Sequence, residues 1–80
     1  MIYYVYVIKS TKDSRLYVGI SSRPLVRLNE HNLGRVFSTK GYVPWKLVFL
    51  EKIGDRILAR KREKYLKSGI GKEYLKNFIN

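Results

Sequence analysis

The chain has 80 residues, with 17 Lys or Arg against 6 Asp or Glu, a formal net charge of +11 and no cysteine. That length suits one domain spanning 1–80, and 45% hydrophobic residues is enough for a core and too many for a disordered chain. Missing cysteines exclude a disulfide framework and a thiolate metal site, the lone His31 excludes a multi-histidine zinc site, and no apolar run nears the roughly 18 residues of a membrane span.

So large a positive excess attracts polyanions. Nucleic acid is the first candidate, because neutralising phosphates releases counterions. A basic surface kept for solubility and an anionic membrane surface are the alternatives. Met1-Ile2-Tyr3 runs straight into a strand-like pattern without a basic region before an apolar one, so no signal peptide is expected and the cytoplasm is the expected compartment.

Residues 2–10 are almost all aromatic or β-branched, which predicts a strand. Both of its faces are apolar, so it should be central and covered on both sides. Thr11-Lys12-Asp13-Ser14 reads as a turn, and residues 15–20 as the return strand of a hairpin. If Ser10 faces Arg15, alternation puts Tyr4, Tyr6 and Ile8 on one face with Arg15, Tyr17 and Gly19. A slip of one residue would break that arrangement.

Ser21-Ser22 followed by Pro24 predicts a serine-capped helix running to about Asn32 and ended by Gly34. Leu25 and Leu28 are expected to face the core. Arg23, Arg27 and His31 recur every four residues, a stripe that could face phosphate. For Arg23 a merely solvated charge is the better reading. The loop of residues 34–44 mixes basic, hydroxyl and aromatic residues, the chemistry that grips phosphates and stacks on bases, although an ordinary connector is as good a reading. Arg23, Arg35, Ser38, Thr39 and Lys40 are the candidate DNA contacts.

A third strand is expected over residues 45–53, then a helix over 56–68 capped by Asp55 and ended by Gly69. Its apolar stripe is read as Leu58, Ala59, Tyr65 and Leu66, with Arg62 inside the stripe and Glu63 at its edge. Glu63 could look into a site beside the core, or simply pair with Lys67. A last helix over about 72–79 would dock through Leu75, Phe78 and Ile79. The predicted fold class is α+β: a small three-stranded antiparallel sheet flanked by helices, in the order β-β-α-β-α-α.

Catalytic patterns are mostly absent. There is no convincing Ser-His-Asp set and no nucleotide-binding glycine loop. The six acids are scattered over turns, caps and helix faces, so they do not suit a two-metal clamp. Phosphodiester hydrolysis would therefore use one divalent ion and one carboxylate, with other groups moving protons. Tyr6 and Tyr17 could pass protons with help from His31 or a cation, Arg27 could hold a phosphate in bidentate fashion, and Glu63 could bind magnesium. Packing alone would also explain aromatic residues on strands.

Tyr4-Val5-Tyr6, Tyr17-Val18-Gly19, Arg27, His31 and Glu63 together resemble the GIY-YIG endonuclease domain, the module of the excinuclease C subunit and of certain homing and restriction endonucleases. The likeness covers nearly the whole chain and is nearest to short stand-alone members related to excinuclease C. It implies a nuclease with Tyr6, Tyr17, Arg27, His31 and Glu63 as catalytic residues. It further implies one magnesium or manganese ion on Glu63 and a DNA substrate, branched or damaged duplex included. Neither a membrane nor a small-molecule cofactor is implied; the family usually adds a separate domain for target choice, a role that a protein partner could fill here. A nucleic-acid-binding module without its own cleavage activity, and a basic module for a protein or membrane, are the alternatives. Three departures stand out: Tyr-Val-Tyr replaces Gly-Ile-Tyr, Ile20 stands where some members carry lysine, and the spacing of Asn77 from Glu63 does not identify it as the asparagine some members carry.

Overall fold

A computed structural model describes residues 1–79, as three strands and three α-helices among the described residues. These are β1 (Tyr3–Ser10), β2 (Leu16–Ser21), α1 (Pro24–Asn32), β3 (Trp45–Gly54), α2 (Arg56–Lys67) and α3 (Gly69–Ile79). The sheet is antiparallel in the order β2-β1-β3, so the expected fold class and the central position of β1 are observed. No helix is long and apolar enough to cross a membrane.

The hairpin register follows from its turn. Ser10 N–H donates to the Arg15 carbonyl at 2.9 Å, and the Ser10 hydroxyl accepts from Lys12 N–H at 3.0 Å. Tyr6 therefore sits opposite Gly19 and Ile8 opposite Tyr17. This is the register that a four-residue loop predicts.

Alternation along β1 divides the core in two. Val5 and Val7 pack with Val18, Phe49, Ala59, Leu66 and Leu75, which places α2 and α3 on one face. Tyr6 and Ile8 pack with Trp45, Leu28 and Tyr17, which places α1 on the other. Asn32 ties the end of α1 to the start of β3: its side chain accepts from Trp45 N–H at 2.6 Å and donates to the Trp45 carbonyl at 2.9 Å.

Several helix expectations need correction. Arg23, not serine, holds the cap position of α1 without a side-chain cap; Ser21 Oγ instead accepts from Arg23 N–H at 2.9 Å. Leu25 is 67% exposed, because the helix is turned to bury His31, and the two residues lie about 120° apart around the axis. On α2 the buried line is Ala59, Glu63 and Leu66, so Glu63 lies within the packed seam and Leu58 and Tyr65 stay largely exposed. Gly69 begins α3 instead of ending α2, since Ser68 bridges them: its hydroxyl donates to the Tyr65 carbonyl at 2.6 Å and accepts from Gly71 N–H at 3.2 Å. Phe78 meets Phe49 edge to face yet remains mostly exposed. Asp55 does cap α2, accepting from Leu58 N–H at 2.9 Å.

The two glycines at the start of α3 should respond oppositely to alanine. A Cβ on Gly71 would run into the Tyr65 carbonyl, whereas a Cβ on Gly69 meets nothing within 4 Å. Urea unfolding should show Gly71→Ala destabilised by about 1–3 kcal/mol. Gly69→Ala should be stabilised by up to about 1 kcal/mol.

Candidate active site

A polar cleft of about 310 Å³ opens at β2, an edge strand. It is lined by Tyr3 and Tyr6 of β1, Tyr17, Gly19 and Ile20 of β2, Arg27 of α1, and Arg56, Arg60 and Glu63 of α2. Opening at the sheet edge lets it draw on the helices of both faces. Tyr6, Tyr17, Arg27 and Glu63, four of the five candidate catalytic residues, meet here.

Tyr6 is buried, and its ring crosses the sheet over Gly19. A Cβ on Gly19 would lie 2.5 Å from the Tyr6 hydroxyl oxygen. Any larger residue there would push the phenol away. The tyrosine that points into the site and the glycine facing it are thus one packing unit.

His31, the fifth candidate, lies beneath the cleft with 0% exposure. It cannot share a phosphate-facing stripe with Arg23 and Arg27, because α1 turns it inward. Its Nε2 is 2.9 Å from the Tyr6 hydroxyl, and its Nδ1 is 2.7 Å from Thr39 Oγ1. Thr39 Oγ1 donates to the Val36 carbonyl at 3.3 Å. That donation spends the only hydroxyl proton of Thr39, so Thr39 must accept from His31. The hydrogen-bond network therefore assigns the proton to Nδ1 and leaves Nε2 to accept from Tyr6.

Thr39 in turn is held by Trp45, whose indole N–H donates to the Thr39 carbonyl at 2.9 Å. With 0% exposure, Thr39 is unavailable to DNA, and its expected role as a DNA contact is corrected here. Its hydroxyl orients His31 instead. The sequence carried no local signal for that pairing, because residues 31 and 39 meet only when the 34–44 loop folds back through a 3₁₀ turn at Lys40–Tyr42.

Electrostatics keep the Tyr6–His31 pair neutral. Burial, with the charge of Arg27 second, pushes His31 from 6.5 down to about 4. Burial, with Tyr17 second, pushes Tyr6 from 10.0 up to about 12, and the Arg27 guanidinium beside it offsets part of the rise. Both groups are therefore uncharged near neutral pH. Tyr17 packs edge-on to His31, ring centres 5.0 Å apart, and lies 6.4 Å from the Tyr6 ring. Arg27 donates from Nη1 to Glu30 at 3.0 Å, which strengthens its hold on its proton and orients the guanidinium at the cleft.

Glu63 is 7% exposed, and its two carboxylate oxygens take Arg60 at 3.0 Å and Lys67 at 3.2 Å. The expected pairing with Lys67 is thus present, with Arg60 as a second partner. No group of three His, Cys, Asp or Glu side chains able to hold a metal occurs among the described residues. One carboxylate beside phenol oxygens fits a hard divalent ion that keeps most of its water, and does not fit an ion that needs several protein ligands.

The remaining candidates lie outside the cleft lining. Arg23 borders a separate shallow cleft with Leu25 and Leu50. Arg35, Ser38 and Lys40 are exposed on the 34–44 loop, where Lys40 Nζ lies over the Phe37 ring. Asn77 is exposed on α3. Sequence reasoning missed Arg56 and Arg60 as cleft residues. It could have found Gly19, since the expected register already set it opposite Tyr6.

The family model described as the GIY-YIG catalytic domain matches residues 2–76. The chain is also similar to a UPF0213 protein of Clostridium perfringens (strain 13 / Type A), with 38% identity over 65 residues, covering 80% of this chain and 69% of the relative.

Two measurements probe the buried Tyr6–His31–Thr39 hydrogen bonds. The unfolded chain protonates His31 below about 6.5, whereas the folded one does so only near 4, so stability present above 6.5 drains away as the pH falls. Urea unfolding at pH 7 and pH 4 should show the wild type losing about 3 kcal/mol more than His31→Gln does. Imidazole nitrogen NMR should find His31 protonated on Nδ1 in the wild type and in Thr39→Ser. In Thr39→Val, which leaves Nδ1 without its acceptor, the proton should move to Nε2.

Proposed function

The chain belongs to the GIY-YIG catalytic-domain family, and from that premise we propose that it is a divalent-metal-dependent endonuclease that hydrolyses DNA phosphodiester bonds in repair or recombination. One observation carries the reading: a single cleft joins a phenol backed by a neutral imidazole, a guanidinium and a buried carboxylate. Those are the groups that phosphodiester hydrolysis asks for when one metal replaces two.

Magnesium or manganese on Glu63 would supply positive charge at the scissile phosphate. The proton work falls to the chain itself. A phenol that ionises near 12 is almost never a free phenolate at neutral pH. Tyr6 is better used as a relay: its oxygen takes a proton from the attacking water while its own proton passes to His31 Nε2. His31 is sealed from solvent and can act only through Tyr6. Its low pKa keeps that acceptor free across the neutral range. Tyr17, at the cleft wall, would orient the water. Arg27 would meet the non-bridging oxygens with the N–H groups that Glu30 leaves free. Arg35, Ser38 and Lys40 would touch flanking backbone, and a protein partner would direct the domain to branched or damaged duplex.

A second reading, a nucleic-acid-binding module without independent cleavage, draws on one observation. Both oxygens of Glu63 are already engaged by cations, as a purely structural carboxylate would be.

Supercoiled plasmid and branched DNA, with magnesium or with chelator, separate the two readings. Wild type should cut only with the metal, and Glu63→Ala should lose about 1,000-fold in rate. Tyr6→Phe should lose about 100- to 10,000-fold. Duplex, branched and single-stranded DNA all left intact, yet bound equally by wild type and Glu63→Ala, would replace the nuclease with the binding module.

A further inference from the structure

The outer face of α2 carries charge that the cleft does not use. The helix has six cations, Arg56, Arg60, Lys61, Arg62, Lys64 and Lys67, and one acid, Glu63. Arg60 and Lys67 pair with Glu63, and Arg62 pairs with Glu51 at 2.7 Å. Arg56, Lys61 and Lys64 have no ion-pair partner among the described residues.

These three cations line a groove of about 380 Å³ together with Ile57 and Arg60. Arg56 and Arg60 also wall the catalytic cleft, so the groove begins where the cleft ends. A solvated helix face normally interleaves acids with its cations at i, i+4. Here Arg56, Arg60 and Lys64 follow one another at that spacing, where like charges cost a few tenths of a kcal/mol per pair. Glu63 offsets the charge of Arg60 alone; Arg56 and Lys64 keep theirs, and a polyanion lying in the groove would take it up.

The dimensions suit one kind of polyanion. Arg56 to Lys64 spans about 12 Å of helix axis. A DNA strand winds around the duplex axis, so neighbouring phosphates lie farther apart than the roughly 3.4 Å each advances along it, and about two or three fit that length. Ile57, 72% exposed between the cations, gives the groove an apolar floor suited to sugar edges.

We infer that this α2 groove binds the sugar-phosphate backbone of the substrate as it leaves the cleft, with Lys61 and Lys64 as phosphate contacts. This rests on the nuclease reading and names the surface that holds the flanking strand. Arg56 and Arg60 then belong to both sites, and Arg60 links them physically, since it also steadies Glu63.

The test measures binding without cleavage. Fluorescence anisotropy of a labelled short duplex, in chelator and over a series of salt concentrations, gives the slope of log K against log salt. Lys61→Gln/Lys64→Gln keeps helix propensity and removes two cations. Lys46→Gln/Lys52→Gln removes two exposed cations from β3 that line neither groove nor cleft, and serves as the charge-matched control. The α2 pair should make the slope shallower by about 1.8, and the control pair should leave it unchanged. An unchanged slope for the α2 pair, or equal changes in both pairs, would overturn the inference while leaving the nuclease standing. Loss of binding to anionic lipid vesicles with duplex binding intact would overturn it in favour of a membrane surface. No salt-sensitive binding by the wild type would remove this inference and the nuclease reading together.

Discussion

The buried hydrogen bond from Tyr6 to His31 sets terms that the rest of the fold must meet. Leaving either group unpaired in the interior would cost about 1–3 kcal/mol, a large share of the stability of so short a chain. The phenol must cross the sheet to reach the imidazole, so the residue opposite Tyr6 can have no side chain, and Gly19 stands there. The imidazole must point inward, so α1 turns about its axis and Leu25 is left in solvent. His31 Nδ1 needs an acceptor, so the 34–44 loop folds back to bring Thr39 beneath it. Trp45 fastens Thr39, and Asn32 fastens Trp45. Within the described residues no buried side-chain nitrogen or oxygen is left without a partner. A polar network of this kind rigidifies a core when every member is satisfied.

Charge follows an equally economical pattern. Five of the six acids pair with cations: Asp13 with Arg15, Glu30 with Arg27, Glu51 with Arg62, Glu63 with Arg60 and Lys67, and Glu73 with Lys76. The sixth, Asp55, caps α2. Two of those acids orient cleft cations, since Glu30 aims Arg27 and Glu63 gathers Arg60. With every acid occupied inside the fold, the cations that remain face solvent unopposed. The field they make is positive, and it reaches the cleft through Arg56, the cation at its wall that has no ion-pair partner among the described residues.

The strands were legible in the residues because their signals are local. Aromatic and β-branched runs, a polar four-residue turn and strict alternation are enough to place Tyr6 opposite Gly19 without any coordinates. The helices were harder. Leucine marks a core face only when no buried polar group competes for it, and on α1 His31 won. On α2 the packed line runs through Ala59, Glu63 and Leu66, so a carboxylate occupies a place that hydrophobic periodicity assigns to apolar residues. The early start of α3 has no local signal, because glycine ordinarily marks a helix end, whereas here Ser68 holds both helix ends.

Composition and short-range pattern thus carried the α+β order, the hairpin register, the positive charge excess and the family likeness. Each depends on neighbours in sequence or on sums over the chain, and neither needs long-range contacts. Which side of a helix is buried, which proton His31 carries, and whether Thr39 meets DNA or imidazole are different questions. Their answers turn on groups brought together from distant positions, where the cost of an unpaired buried polar atom outweighs local propensity. Folding converts a histidine that looked like part of a cationic stripe into a neutral, sealed hydrogen-bond partner of Tyr6, and a loop threonine into the group that orients it.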